Sequence, residues 1–504
     1  MSAAHKWYYV VGMAHTLRGN MAKDVLLRFE AGFKRFAYTD FYLFAFAAIV
    51  FIGWVAESAV FGFVALVLLA SLALVVLDDS LPLLAPLFYA MCMIFTDRVD
   101  DFAFMWPCFI PLALALVVFF VRNKRRFRRG AMFFPQLAVS VVLLLGGVGV
   151  CTAEEYLRAL PNALTLGFLA LAVYMLVTVY SGRDEKRDLG LYFGKILMWL
   201  GFIVLAEVVV WYIRADIPPA EWGSHARNYG WGIENNAATI LSLTAPMCFF
   251  LATRYRNGGI YAVLGLLQYV GIVLTFSRGG ILMAVFTGPV SAVFALVKAV
   301  DKKRMGITYA VAAAAVAVCL GVLHDSLGAA MGSLLGQGFG SNGRAPLYDE
   351  AIALFREHPF LGVGLGYSGP NFDINTMQFY WFHCTFLQII ANMGIVGLVV
   401  YAVYYVARFR AVLGRLSNPF NLFTLIAWLG FEGYSMMDTG TFVGFPTMSI
   451  VLATTAVLEL AARGRRFEGE VDEYNRTFRR WGVSAKARYY DAFTPAYTRA
   501  SESL

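Results

Sequence analysis

The stretch "IYAVLGLLQYVGIVLTFSRGGILMAVFTGPVSAVFALVKAVDKKRMGITYAVAAAAVAVCLGVL", residues 260–323, contains three long apolar runs joined by short polar connections. Each run approaches the length that an α-helix needs to cross the hydrocarbon core of a membrane, about 20 residues. Backbone inside lipid must satisfy its hydrogen bonds internally, so such runs form helices. The stretch therefore predicts an all-α polytopic membrane protein.

The composition of the whole chain agrees with this prediction. Of its 504 residues, 60% are hydrophobic and 15% are charged, whereas a soluble domain has about 25% charged residues. The net charge is +8, but the basic residues lie mostly in short connections between apolar runs. Membrane orientation explains that pattern, so we expect membrane lipids as partners and no nucleic acid. The six cysteines form no CxxC pair, and neither a disulfide framework nor a zinc site is predicted.

Similar apolar runs continue along the chain, and we predict about 12–14 transmembrane helices with one large external loop that contains short helices. The predicted runs are 41–56, 59–77, 81–96, 102–121, 131–151, 162–180, 191–213, 236–252, 260–276, 281–300, 307–323, 385–407, 419–437 and 446–462. They define a transmembrane domain over 41–462. An amphipathic segment, 1–40, precedes it, and a basic tail, 463–504, follows it.

The basic clusters between the runs predict the orientation. With these runs, every cluster lies on the same side of the membrane. The clusters are residues 122–129, 182–187, 254–256, 301–304, 408–415 and 463–466. The positive-inside rule makes that side cytoplasmic. We therefore expect a multi-pass protein of the cytoplasmic (inner) membrane with both termini in the cytoplasm.

The longest external connection is the loop 323–384, of about sixty residues, a length that in a compact protein usually signals function. Within it, "GRAPLYDEAIALFREHPF" has helical periodicity, with Leu347, Ala351 and Leu354 on one face. Pro346 suits a first helical turn, and Pro359 is expected to end the helix. We therefore expect this loop to be ordered and to carry catalytic residues.

Two arginines and a histidine gather around this loop. Arg278, in "TFSRGG", lies opposite the basic clusters, and the following glycines allow a ligand to approach the next helix. Arg344 precedes the predicted loop helix, where a helix amino terminus and a guanidinium together favour an anion. His383, in "FYWFHCTFLQII", can exchange a proton near neutral pH. The alternatives are a topogenic or snorkelling arginine for Arg278, a surface salt bridge of Arg344 to Asp349 or another carboxylate, and an interfacial aromatic belt for His383.

Other polar positions are open to either a structural or a functional interpretation. Glu207 and Glu432 lie inside apolar runs, where carboxylates are functional candidates or partners in ion pairs between helices. Asn236 either caps a helix or contacts substrate. The candidate substrate-binding residues are Arg227, Asn236, Tyr348, Gly364 and Tyr380. External arginines indicate an anionic ligand, and without a P-loop a lipid-linked diphosphate is the substrate class that fits.

Three motifs in fixed order resemble the bacterial O-antigen ligase and O-antigen polymerase superfamily. They are "TFSRGG" (275–280), "GRAPLYDEAIALFREHPFLGVGLGY" (343–367) and "HCTFLQIIANMGIVGLVVY" (383–401). Cys384 stands where the family often has Asn, and Tyr348 where it often has Trp. The motifs cover the segment from 275 to 401, and the rest of the chain agrees with the family in topology.

The resemblance implies metal-independent, inverting glycosyl transfer on the external face of the membrane, without a cofactor. The donor would be a glycan on an undecaprenyl diphosphate carrier, and the acceptor a glycan or lipid. Arg278 and Arg344 would hold the diphosphate, and His383 would assist the acceptor hydroxyl. The alternatives are a polymerase that joins carrier-linked repeat units, a lipid-glycan flippase or transporter, and a rod-shape or division-type glycan polymerase. The last would need a loop carboxylate such as Asp373.

Overall fold

The computed structural model describes residues 27–77, 80–93, 107, 109–123, 129–178, 188–218, 221–222, 228–229, 232–336, 344–368, 380–438, 440–442 and 444–463. Most of the predicted amphipathic segment and nearly all of the basic tail lie outside the described residues, as do Arg227 and Asp373. The division into segment, transmembrane domain and tail stays a prediction.

Helices make up nearly all of the described structure. In chain order they are α1 (Leu27–Ala37), α2 (Asp40–Val55), α3 (Ala59–Val76), α4 (Leu84–Tyr89), α5 (Phe109–Asn123), α6 (Phe133–Leu145), α7 (Ala153–Ala163), α8 (Ala170–Thr178), α9 (Leu189–Ala215), α10 (Glu234–Ala252), α11 (Gly259–Leu274), α12 (Arg278–Lys298), α13 (Lys302–Val322), α14 (His324–Gly336), α15 (Ala345–Glu357), α16 (Thr385–Leu413), α17 (Pro419–Ser435) and α18 (Ser449–Arg463). Short 3₁₀ turns (Leu81–Leu83, Ala90–Met93, Gly440–Phe442) and π turns (Leu164–Leu169, Gly444–Met448) connect some of them. A two-residue hairpin, β1 (Asn228–Tyr229) and β2 (Gly232–Ile233), precedes α10.

Every predicted apolar run contains helical structure, so the all-α polytopic fold is confirmed. Among the described residues, seven helices are long and apolar enough to cross a membrane, or eight if the bent pair α1–α2, at 75°, forms one span. Shorter apolar helices such as α5, α6 and α11 accompany them. The predicted number of about 12–14 spans stays a prediction, because length and composition do not decide how the shorter helices meet the membrane.

The core lies around α10, which packs against α9, α11, α12 and α17. The most apolar 18-residue stretch of α10 is 89% buried, whereas that of α13 is only 6% buried. Small and hydroxyl side chains let α10 approach its neighbours closely, and Thr244 donates to Gln268 Oε1 of α11 over 2.8 Å. The α13 helix presents apolar side chains outward at the periphery, as a helix facing lipid does.

The charges inside the helices do not all follow the predicted pattern. Arg408 was predicted to belong to a basic cluster in a cytoplasmic loop, and this prediction was wrong. It lies inside α16, is fully buried and pairs with Glu432 of α17. The rings of Tyr405 and Trp428 lie 5.0 and 4.9 Å from its guanidinium. A carboxylate and aromatic rings thus compensate a charge that would otherwise be costly within the helices.

The two buried acids therefore differ in their surroundings. Glu432 accepts hydrogen bonds from Arg408 and from Tyr405, the latter at 3.1 Å, which matches the interhelical ion pair considered above. Glu207 on α9 is fully buried, and neither of its carboxylate oxygens has a hydrogen-bond partner within the described part of the chain. Only Glu432 thus serves as a link between helices.

The loop helix predicted from "GRAPLYDEAIALFREHPF" is α15. Pro346 lies in its first turn, and His358 follows its last residue before Pro359, as predicted. Ala351 is fully buried against Phe382 and Ala391, with Leu347 and Leu354 packed around them. The apolar face of α15 therefore attaches the loop to the amino-terminal part of α16.

The chain after α15 pairs with an opened turn of α16. Gly394 has φ 60° and ψ −154°, which interrupts the helix. The freed backbone forms new hydrogen bonds, from Ile395 N to Pro359 O at 2.8 Å and from Val363 N to Ala391 O at 2.9 Å. Gly364 has φ 80°, a conformation in which glycine is strongly favoured. This pairing brings the loop next to the residues that precede α16.

Candidate functional site

The carboxylate of Asp438, just after α17, is the centre of a polar cluster. His383 Nδ1 lies 3.0 Å from Asp438 Oδ1, and Arg344 Nη2 lies 3.7 Å from Asp438 Oδ2. The side chains of His383, Arg344 and Asp438 are 33%, 23% and 14% exposed. A titratable ring and a guanidinium thus share one carboxylate at a partly accessible position.

Residues of α10 and α17 complete the hydrogen bonds of this carboxylate. Asn235 Nδ2 donates to Asp438 Oδ2 over 2.9 Å, and the Tyr434 hydroxyl donates to the same oxygen over 3.2 Å. The Ser277 hydroxyl donates to Asn235 Oδ1 over 2.8 Å. Because Arg278 directly follows Ser277, two hydrogen bonds connect the start of α12 to Asp438.

The side chain of Arg344 is held at the turn that carries Asp438. Its Nη1 donates to the carbonyl of Met437, and its Nη2 faces Asp438. Of the salt bridges considered from the sequence, the structure shows one to another carboxylate, Asp438, in place of Asp349. Arg344 directly precedes α15, as predicted, so its guanidinium ties the start of that helix to the end of α17.

The start of α12 is built for close packing. Ser277 caps the helix by accepting a hydrogen bond from Gly280 N. A Cβ at Gly279 would lie 3.1 Å from the Tyr434 ring, and one at Gly280 would lie 2.8 Å from Ala238 Cβ. The glycines of "TFSRGG" therefore allow helix packing, whereas the sequence suggested close approach of a ligand. Arg278 is the first residue of α12, directly before the glycine that packs against Tyr434.

The backbone of the cluster is strained at two non-glycine residues. His383 has φ 50° and Phe276 has φ 54°. Such conformations cost about 1–3 kcal/mol each and are common at functional sites. A carboxylate only accepts hydrogen bonds, so an ionised Asp438 holds the proton of a neutral His383 on Nδ1. The other ring nitrogen, Nε2, is then left as an acceptor.

Comparison with known protein families adds a direct observation. Residues 260–402 match a family model described as O-antigen ligase. The chain carries an O-antigen ligase domain. No curated protein matches the chain. The domain includes Arg278, Arg344 and His383, while Asn235 and Asp438 lie outside it.

The O-antigen ligase domain and the long apolar helices together establish the broad class of the protein. It is a multi-pass membrane protein whose segment 260–402 is similar to the O-antigen ligase family. This similarity indicates a glycosyl-transferring enzyme, a ligase or a polymerase, and implies a lipid-linked glycan donor and an acceptor in the membrane. The resemblance inferred from the three motifs is therefore confirmed.

The other predicted substrate-binding residues are distributed around the ligase domain. Tyr380 lies three residues before His383, but its hydroxyl donates to Glu350 Oε2 over 2.8 Å. The Tyr367 hydroxyl donates to the other Glu350 oxygen, also over 2.8 Å. Burial raises the pKa of Tyr380 to about 12, and the Glu350 carboxylate adds to this shift. Both hydroxyls therefore stay protonated and fasten the segment before His383 to α15.

Three further predicted residues have distinct surroundings. Tyr348 is half-buried on the first turns of α15. Asn236 is the third residue of α10, so the capping role considered for it was wrong, and its neighbour Asn235 enters the polar cluster instead. Gly364 packs its backbone against Gly146, where a Cβ would lie 2.7 Å from the carbonyl oxygen. A contact of these residues with substrate stays a prediction.

Two residues of the cluster were missed in the sequence. Asp438 begins a predicted external connection directly after an apolar run. Arg278 was considered for the same feature, a charged side chain beside an apolar run on the predicted external side. Asn235 stands beside Asn236 in "IENN", where only the second amide was predicted to be a site residue. A search for every polar residue at the external ends of the runs would have found both.

Proposed function

We propose that the protein is a glycosyltransferase of the O-antigen ligase type. It transfers a glycan from an undecaprenyl diphosphate carrier to an acceptor hydroxyl on the external face of the cytoplasmic membrane. The observation that carries this proposal is the His383–Asp438 pair with Arg344 on the same carboxylate. The transfer removes a proton from the acceptor hydroxyl and leaves negative charge on the diphosphate of the donor. The imidazole of His383 suits the first task, and the guanidinium of Arg344 suits the second.

His383 acts as the general base in this proposal. Asp438 fixes the Nδ1–H tautomer, so Nε2 accepts the proton of the acceptor hydroxyl as its oxygen attacks the anomeric carbon. The bond between that carbon and the diphosphate oxygen breaks, and the configuration at the carbon inverts. General-base catalysis of this kind contributes about 10²–10⁴-fold to the rate.

Arg278 and Arg344 stabilise the departing diphosphate. Negative charge grows on the leaving oxygen, and preorganised donors are worth most where charge develops. The amino terminus of α12 adds backbone N–H groups and a positive dipole end beside Arg278. Asp438 offsets part of the Arg344 charge, so the two arginines together, and not Arg344 alone, leave the site positive for a diphosphate.

The acceptor distinguishes the ligase from the polymerase. A ligase moves the glycan to a distinct lipid or wall component, whereas a polymerase extends a second carrier-linked unit. A flippase or transporter would need charged residues along a path through the membrane. Glu432, one of the two acids available for such a path, is instead paired with the buried Arg408 in an ion pair between α16 and α17.

The test is reconstitution of the purified protein with carrier-linked glycans and analysis of the product. We expect Arg278→Ala and Arg344→Ala each to lower the rate by at least 10²–10³-fold, about 3–4 kcal/mol of transition-state stabilisation. Arg356→Ala, at an exposed position in the last turn of α15, is the matched control and should retain the wild-type rate.

Each outcome of this test is informative. Product on a second acceptor identifies a ligase, and longer chains on the carrier identify a polymerase. Wild-type turnover by purified Arg278→Ala protein would refute the assignment of the arginines to the diphosphate. Transport of the carrier without any new glycosidic bond would refute the enzymatic proposal altogether.

A further inference from the structure

The backbone conformation of His383 needs a structural cause. Its φ of 50° lies in the left-handed region, which costs a non-glycine residue free energy unless its surroundings impose it. The conformation also directs the imidazole toward Asp438. Whatever holds the chain at residues 380–382 therefore influences the geometry of the proposed base.

Gln388, in the first turns of α16, holds that chain. Its side chain is fully buried. Its Oε1 accepts a hydrogen bond from Phe382 N over 2.9 Å, and its Nε2 donates to the carbonyl of Tyr380 over 2.9 Å. One side chain is thus hydrogen-bonded to the backbone at two residues, both within three positions of His383.

A second buried amide extends this arrangement. Gln388 Nε2 also donates to Asn392 Oδ1, and Asn392 Nδ2 donates to the carbonyl of Gly364. Asn392 is 1% exposed, so the chain of amides is shielded from water. It joins three separate parts of the ligase domain: the glycine-rich segment after α15, the first turns of α16 and the residues before His383.

We propose that Gln388 is a positioning residue for the transfer reaction. It holds residues 380–382 so that His383 keeps its left-handed backbone and its hydrogen bond to Asp438. This inference rests on the proposed function, in which His383 is the base. Gln388 lies behind the His383 backbone and acts through it, without contacting the reacting groups.

The physical effect of removing the amide follows from the contacts. Leucine has a similar volume but would leave Phe382 N–H and the Tyr380 carbonyl without their buried partner. The segment would then relax toward an ordinary backbone conformation, and the imidazole would move relative to Asp438. A displacement of about 1 Å at a catalytic group can cost about 10²-fold in rate.

The experiment compares Gln388→Leu and Gln388→Glu with the wild type, using the reconstituted full-length protein and carrier-linked glycans extracted from the producing cells. We expect Gln388→Leu to lower kcat by about 10–100-fold with little change in the KM for donor, because the arginines are untouched. The pH profile of kcat should also change, because the imidazole moves relative to Asp438. Gln388→Glu keeps the acceptor for Phe382 N–H, so we expect its kcat to lie between those of the wild type and Gln388→Leu.

Gln268→Leu is the matched control. Gln268 on α11 is also fully buried and also bridges two partners, Thr244 and the carbonyl of Met198. It belongs to the core and has no bond to the segment before His383. We expect Gln268→Leu to lower thermal stability while the folded fraction keeps the wild-type kcat and pH profile.

The His383→Ala variant distinguishes a failure of the base assignment from a failure of the positioning role of Gln388. If His383→Ala keeps the wild-type kcat, the assignment of His383 as the base fails. If His383→Ala is impaired but Gln388→Leu behaves like Gln268→Leu, only the positioning role fails.

NMR of protein labelled in histidine gives a readout independent of turnover. The signal of the Nδ1 proton shared with Asp438, assigned by its loss in His383→Ala, should shift or broaden in Gln388→Leu and remain in Gln268→Leu.

Discussion

At the scale of single residues, the carboxylate of Asp438 has the most partners in the candidate site. Side chains from α10, α17, the residue before α15 and the short segment before α16 converge on its two oxygens. One of these partners, His383, carries an imidazole, the side chain that most often serves as a general acid or base. Asp438 therefore orders the site, while His383 performs the proposed chemistry.

Asp438→Asn tests this division of roles. The amide can donate as well as accept, so it no longer fixes the tautomer with Nε2 as the base, and we expect kcat to fall by roughly 10²–10⁴-fold. Turnover of the reconstituted protein measures the effect. Asp325→Asn, at the exposed start of α14, is the control and should be fully active. Unchanged turnover of Asp438→Asn would exclude the pair as the catalytic base.

At the scale of elements, the break in α16 joins the loop to the membrane helices. Gly394 opens the helix, and the chain from Pro359 to Gly364 fills the gap with its own backbone hydrogen bonds. The periodicity of "GRAPLYDEAIALFREHPF" was sufficient to predict α15, because apolar spacing and two prolines are local signals. The break was not predictable, since its cause is a segment about thirty residues away in the chain.

Gly394→Ala should destabilise this junction. A Cβ there would lie 2.4 Å from the Phe360 carbonyl oxygen, and the φ of 60° is unfavourable for alanine. We expect a loss of about 1–3 kcal/mol in the free energy of unfolding, measured by thermal or chaotrope-induced unfolding in detergent. Gly306→Ala in α13, where nothing lies within 4 Å, should be neutral or slightly stabilising. Equal stability of the two variants would contradict the junction.

At the scale of the whole molecule, composition and apolar runs were sufficient to predict the membrane fold. The order of motifs was sufficient to predict which arginines and which histidine to consider. Two partnerships were not accessible in this way. Arg408 was assigned to a loop because hydropathy scores an arginine as polar, whether or not aromatic rings surround its guanidinium. Asp438 pairs with His383 across 55 positions, and a contact between distant positions leaves no periodic signal in one sequence.

The Arg408–Glu432 pair should behave as a unit that joins α16 to α17. Arg408→Met or Glu432→Leu alone leaves one buried charge without its partner, and we expect each to cost about 3–5 kcal/mol of stability. The double variant removes both charges and should recover most of this loss. A double-mutant cycle from unfolding in detergent measures the coupling. Additive losses would show that the two side chains do not depend on each other.

The position of Asn235 and Asp438 outside the recognised domain limits how the protein can be divided. A fragment over 260–402 would retain both arginines and the histidine but lose the carboxylate that orients the ring and the amide that supports it. Grafts or chimaeras exchanged at the borders of that fragment would combine a base from one parent with an orienting group from another. A unit that keeps the whole cluster must include the start of α10 and extend at least to Asp438.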